Sequence, residues 1–276
     1  MARVSVELGS GRWRDEVNGL TVVRASPNEL YRVFNSSHTA LSPLIPDGDK
    51  STWTRFDVED HATLYLAEDK LGAICEVLAY AKSQPLNLDR IFPDVSERDD
   101  PVADEWAALG FEDPALIVQS WLKNREVTTL TIFPGVTNWF VDILAADSIG
   151  VLRRYARQWS PDASLVQDTL KIDISLLTGP KREITVAAAA WLRNRTLEDG
   201  SKPDGILYSS KHGVNLLCWA IWIPLGGEKK QELVSDLVRR TVTESPRGNH
   251  SIDDISIQRA KQILDLSNTN EDLEEN

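Results

Sequence analysis

Residues 59–82 read EDHATLYLAEDKLGAICEVLAYAK, and two periodicities meet inside that stretch. His61 to Ala67 (HATLYLA) is a short run rich in β-forming residues, as expected of a strand. From about Asp69 to Lys82 the period changes. Leu71, Ile74, Cys75 and Leu78 recur at helical spacing, which predicts a helix with one face packed on a core. A strand running directly into a helix begins the description of a mixed fold. Upstream, Leu20 to Arg24 (LTVVR) predicts another strand, Ser26-Pro27-Asn28 a helix start, and NELYRVF a short helix. Residues 35–54 carry the Ser, Pro, Gly and Asp of a long surface loop.

Downstream, Asp- and Pro-rich segments between 85 and 135 flank predicted helices near 102–109 and 114–124 and a strand at 126–133 (EVTTLTIF). Ile184 to Arg195 reads as a helix around AAAAWL. The segment TLEDGSKPDG is turn chemistry, with Gly200 and Gly205 each following an Asp. Two strands follow, GILYS and VNLLCWAIWI, joined by a tight turn at Lys211-His212-Gly213. Lys229 to Thr241 and Ile252 to Leu266 predict amphipathic helices, and SNTNEDLEEN an acidic tail. Strands mixed with helices, without regular alternation, favour an α+β class. The expected organisation is an N-terminal extension (1–19), a main domain (20–228) with an insertion at about 85–135, and C-terminal helices with the tail (229–276).

With 276 residues, 42% of them hydrophobic, the chain can bury a sizeable core. Its 30 basic and 42 acidic residues leave a net charge of −12. That balance repels phosphate backbones and anionic membranes at long range, so neither nucleic acid nor membrane is an expected partner. A locally basic pocket for one small phosphorylated ligand is compatible with it. Cys75 and Cys218 sit in apolar runs and read as buried thiols, and no His/Cys cluster has the spacing of a metal site. The N-terminus lacks the apolar stretch of a secretory signal. The longest apolar run, Leu216 to Leu225, is too short to span a bilayer. A cytoplasmic protein is the expectation.

Glu76 is the unusual residue of the first helix. It lies nearly opposite the apolar stripe, surrounded by Gly72, Ala73, Ala79 and Tyr80, and no other charge occurs between Lys70 and Lys82. Small neighbours around one carboxylate leave room for a ligand; the ordinary alternative is a surface Glu on a packed helix. Arg24, Tyr65 and Ser210, each taken singly, have equally ordinary readings as an ion-pair partner, a strand aromatic and a turn former. No nucleophile elbow, P-loop or dinucleotide fingerprint is present.

In combination these pieces resemble the RES domain, a family named for an Arg, a Glu and a Ser. VVRASPNELYRVFN resembles its Arg element and supplies Arg24. TRFDVEDHATLYLAEDKLGAICEVL resembles its Glu element and supplies Arg55, Tyr65 and Glu76. PDGILYSSKHGVNLLCWAIW, preceded by the AAAAWLRNRT helix, resembles its Ser element and supplies Ser210. The likeness covers about residues 20–225, with an unmatched stretch around 85–135. Thr54 stands where the family often has Gly, and Lys211 follows the Ser where Arg is common. The resemblance implies a fold like that of ADP-ribosyltransferase toxins, with a mixed sheet core, flanking helices and here a helical insertion. It also implies bacterial toxins that deplete NAD⁺ with water or phosphate as acceptor, several of them neutralised by a helix-turn-helix (Xre-type) antitoxin.

Cleaving the nicotinamide–ribose bond builds positive charge on the ribose, as in glycoside hydrolysis, and the cationic nicotinamide leaves without a general acid. Under the resemblance, Glu76 stabilises that charge and holds the 2′-hydroxyl. Arg24 and Arg55 suit the pyrophosphate, with Lys211 in support. Tyr65 stacks on nicotinamide, and Ser210 contacts the ribose or fixes Glu76. NAD⁺ is then substrate rather than resident cofactor, inorganic phosphate is a candidate co-substrate, and no metal is implied. Two alternatives stay open: ADP-ribose transfer to a protein, and a non-catalytic nucleotide-binding or interaction module. The C-terminal helices could pack on their own domain or form an oligomer contact.

Overall fold

A computed structural model describes residues 6–24, 29–43, 45–83, 122, 124–133, 139–226, 231–244, 250–252 and 254–264. Eleven strands within them form one mixed sheet. They are β1 (Val6–Gly9), β2 (Arg12–Arg14), β3 (Thr21–Arg24), β4 (Leu30–Asn35), β5 (His61–Ala67), β6 (Arg125–Ile132), β7 (Trp139–Asp142), β8 (Gly205–Ser210), β9 (Gly213–Pro224), β10 (Val242–Glu244) and β11 (His250–Ser251). Their order is β1-β2-β3-β7-β8-β9-β5-β4-β6-β10, with β11 also paired to β6. Among the described strands only β7 and β8 run parallel. β5 pairs with β9 along its full length but meets β4 through Tyr31 and Ala67 alone in the ladder, so two wide ladders join at a narrow seam.

The helices are α1 (Lys70–Ser83), α2 (Ala146–Arg154), α3 (Ala156–Trp159), α4 (Ala163–Gln167), α5 (Ile174–Thr178), α6 (Arg182–Arg193), α7 (Gln231–Arg239) and α8 (Asp254–Leu264). Alternation along the strands divides the core between the two faces of the sheet. Ile206 and Tyr208 of β8, with Cys218 and Ala220 of β9, bury against Ile74 and Leu78 of α1 and Ala188 and Leu192 of α6. Leu207, Trp219 and Ile221 point the other way, into a second cluster with Val234 and Val238 of α7. Covering both faces explains why β9 reads as a continuous apolar run. The α+β class is as expected.

Several local readings change. Within the expected NELYRVF helix, Leu30 onward is strand β4, and Asn28 lies outside the described residues. Leu30, Val33 and Phe34 imitate a helical stripe, yet every residue from Leu30 to Asn35 takes a partner on β6, which outweighs local preference. Residues 12–14 of the expected N-terminal extension pair with β3, and the C-terminal stretch supplies β10 and β11 to β6. The strand expected at 126–133 is β6, between β4 and β10. The helices expected near 102–109 and 114–124 and the acidic tail fall outside the described residues, apart from Leu122 and Asn124. Gly205 belongs to β8 rather than to a turn, whereas Gly200, at φ +83°, is a true turn glycine. No helix of the described residues is long and apolar enough to cross a membrane.

Candidate active site

α1 packs against the sheet and α8, and its Glu76 meets Ser210 at the end of β8. The small residues flanking Glu76 are not an open ligand face. Gly72, Ala73 and Ala79 are buried, and a Cβ on Gly72 would lie 3.4 Å from Ala67 Cβ and 3.6 Å from Leu216 Cβ. Their smallness lets the helix approach the strands closely. Glu76 itself is half-buried.

The buried Ser210 hydroxyl donates to Glu76 Oε1 at 2.5 Å and accepts the His212 backbone N–H at 3.1 Å. That second bond occupies a lone pair and leaves the Ser210 proton for the carboxylate. The short turn after β8 thus orients the hydroxyl, and the hydroxyl orients Glu76. The His212 Nε2 is a buried ring nitrogen with no hydrogen-bond partner among the described residues.

Arg55 is buried, its guanidinium 5.7 Å from the Tyr208 ring centroid and 5.9 Å from that of Phe56, two rings that pack 4.9 Å apart. Burial pushes the Lys211 ammonium below its usual range; Arg55 adds to the shift, Glu76 opposes it, and Arg182 contributes in the same sense as Arg55. Burial likewise lowers His212, with Glu76 opposing and Lys211 and Arg55 reinforcing. Lys211 thus feels Glu76, Arg55 and Arg182, and His212 feels Glu76, Lys211 and Arg55, a basic neighbourhood in an acidic chain. Such a cluster suits an anion such as a pyrophosphate.

Tyr65 serves that arrangement from behind. Its hydroxyl accepts the Phe56 N–H at 2.9 Å, lies 2.8 Å from Thr54 Oγ1, and donates to Asp57 Oδ1 at 3.1 Å. Asp57 in turn accepts the Thr54 N–H at 2.7 Å and lies 2.5 Å from the Thr54 hydroxyl. Residues 54–57 therefore wrap the tyrosine hydroxyl with Arg55 at the centre of the loop. Burial raises the Asp57 carboxyl, opposed by its bonds from Thr54 and Tyr65. Thr54, the departure from a glycine, is itself a member of the clasp. Removing the hydroxyl in Tyr65→Phe leaves buried partners unsatisfied. A stability loss of about 1–3 kcal/mol is expected in denaturant titration, together with weaker binding of a phosphorylated ligand. Unchanged stability and binding would mean the loop holds itself.

Arg24 is not part of this group. It closes β3, exposed, with its guanidinium 4.7 Å from the Trp139 ring. Trp139 is level with Asp204, whose N–H it accepts, so Arg24 and Ser210 stand at opposite ends of the sheet, six residues apart along β8, roughly 20 Å. The sequence-derived set thus separates: Arg55, Tyr65, Glu76, Ser210 and Lys211 converge, and Arg24 does not.

A cavity of about 560 Å³ opens beside Ser210, lined also by Lys211, His212 and Gly213 and extending to Arg12 and Asp142. Its size fits a small organic ligand. Cys75 and Cys218 are buried free thiols, and burial, then Asp69 and Glu76, pushes Cys75 up to about 11, so it is not poised as a nucleophile. Among the described residues, no group of three or more His, Cys, Asp or Glu side chains could hold a metal ion.

The family model of the RES domain matches residues 29–239, well over half of the chain. The matched span holds Arg55, Tyr65, Glu76, Ser210 and Lys211 and leaves out Arg24 and the β1–β2 hairpin. No curated protein and no solved structure gives a significant match.

Proposed function

Because this chain belongs to the RES domain family, we propose that its pocket binds NAD⁺ and breaks the nicotinamide–ribosyl bond, in the manner of an NAD⁺-depleting toxin. The supporting observation is the Ser210–Glu76 hydrogen bond at 2.5 Å, beside a cavity and within a cluster of cations.

The chemistry needs few parts. As the bond to nicotinamide lengthens, positive charge grows on C1′ and the ring oxygen of the ribose, and the Glu76 carboxylate stabilises it. Nicotinamide takes the bonding electrons and leaves neutral, so no proton donor is required. Ser210 holds the carboxylate in one orientation, which avoids reorganisation in the transition state. Arg55 and Lys211 hold the pyrophosphate, and Tyr65 acts as a positioning residue for Arg55. Water, losing a proton to solvent, or inorganic phosphate then attacks that same anomeric carbon, giving ADP-ribose or ADP-ribose phosphorylated at that carbon. In this reading Arg24 has no place in the chemistry.

The test is incubation with NAD⁺, with and without phosphate, followed by separation of products. Free nicotinamide with ADP-ribose identifies water as acceptor, and a phosphate-dependent second product identifies phosphorolysis. ADP-ribose found attached to protein instead would indicate transfer. Intact NAD⁺ in every arm, with folded protein, contradicts the proposal.

A further inference from the structure

Hydrolysis at the anomeric carbon sheds a proton from water, and the groups assigned so far are poor acceptors for it. Glu76 must stay negative to face the growing cation, and its Oε1 already accepts the Ser210 hydroxyl. Arg55 is a guanidinium, protonated at any working pH. Of the ionisable groups that line the cavity, Arg12 and Asp142 are joined in an ion pair at 2.7 Å, and Lys211 is an ammonium. Among the described residues that leaves His212. It stands two residues beyond Ser210 in the turn between β8 and β9, and its backbone N–H donates to Ser210 Oγ at 3.1 Å. One hydroxyl therefore links the turn that carries the imidazole to the Glu76 carboxylate. The residue is half-buried and lines the cavity, and its Nε2 has no hydrogen-bond partner among the described residues. A buried ring nitrogen left unpaired costs free energy, which a water held there beside a bound ligand would recover. The charged groups acting on the ring are Glu76 of α1, Lys211 of the turn and Arg55 of the 54–57 loop. Burial holds the imidazole below its usual range, with Glu76 opposing and Lys211 and Arg55 reinforcing, so at neutral pH it is an uncharged base.

We propose that His212 is the general base of the hydrolysis, receiving through Nε2 the proton of the water that attacks the anomeric carbon; this rests on the reading of NAD⁺ as substrate. The role requires the tautomer that carries its proton on Nδ1. A lone pair of the water oxygen forms the new bond to the carbon that nicotinamide has left with the bonding electrons. The electrons of the broken O–H bond stay on that oxygen, and the proton passes to the ring and from there to solvent. The imidazolium so formed is balanced by Glu76, whose charge is released from the ribose once the cation is quenched. An anionic nucleophile has no proton to lose and needs no such base, so His212 serves the water route selectively.

The test measures nicotinamide release from NAD⁺ by the full chain and by His212→Ala, in water alone and with added azide. His212→Ala is expected to lose about 10²-fold in water, the scale of removing a general base, and to recover most of that loss with azide, giving ADP-ribosyl azide. His212→Gln keeps the backbone N–H on Ser210 and a polar side chain but takes no proton, so it should lose as much as the alanine variant. In the parent, release in water should fall as pH drops through the range of the ring, which burial sets below that of a free imidazole, and azide should remove that dependence. The parent profile decides the matter if the variants do not fold. A fully active His212→Ala, a loss that azide does not restore, or a parent profile flat in acid would overturn the assignment and leave NAD⁺ cleavage standing. A folded parent that leaves NAD⁺ intact in every arm would reject the cleavage reaction and the base with it.

Discussion

Glu76→Gln is expected to lower the turnover of NAD⁺ by about 10²–10³-fold, the scale of removing one preorganised electrostatic stabiliser of a transition state. The substitution preserves shape, and the glutamine oxygen can still accept the Ser210 hydroxyl proton, so the fold should stand. What disappears is the negative charge that faces the developing cation. Removing it from a neighbourhood that includes Arg55, Lys211 and His212 makes the site more positive, so affinity for the anionic substrate should hold or rise. The signature is a fall in kcat without a rise in KM, measured as nicotinamide release. A fully active variant would remove Glu76 from the chemistry.

The second large effect is on stability. A Cβ added at Gly205 would lie 2.1 Å from the Ala220 carbonyl oxygen and 2.7 Å from Phe140 Cε1. The nearest obstacle is backbone of the partner strand, held by pairing of β8 and β9 on both sides, and it cannot rotate away. Gly205→Ala is expected to cost more than about 3 kcal/mol, the upper end of overpacking, or to prevent folding. Gly150→Ala is the contrasting case. Gly150 lies within α2 with nothing within 4 Å of the added atom, so the change should stabilise by up to about 1 kcal/mol. Denaturant midpoints of the two variants should move in opposite directions; a tolerated Gly205→Ala would contradict the close strand approach.

Gly205 also shows how far local pattern carries. As half of an Asp-Gly pair it reads as a turn, because the requirement it meets, the nearness of Ala220 and Phe140, comes from residues far along the chain. The β5–α1 unit was legible because α1 buries one face at helical spacing, and the β8–β9 hairpin because a β-rich apolar run follows a tight turn. β4 was not, since Leu30, Val33 and Phe34 fall at helical spacing and its pairing with β6 is non-local. Glu76 stood out as a single charge on its stretch of helix, but the small residues beside it serve close packing rather than ligand access. Two arginines were equally plausible from sequence, and only sheet register separates Arg55, near Glu76, from Arg24, at the far end. The Thr54–Asp57–Tyr65 clasp and the Arg12–Asp142 pair join segments through tertiary contacts, the latter across 130 positions, which no local spacing encodes.

Quantitation of nicotinamide released from excess NAD⁺ by the purified chain tests directly whether this pocket breaks the nicotinamide–ribose bond. Many equivalents of nicotinamide per protein are expected, with ADP-ribose or its phosphate in matching amount. Folded protein that leaves NAD⁺ intact, with or without phosphate, would contradict that expectation.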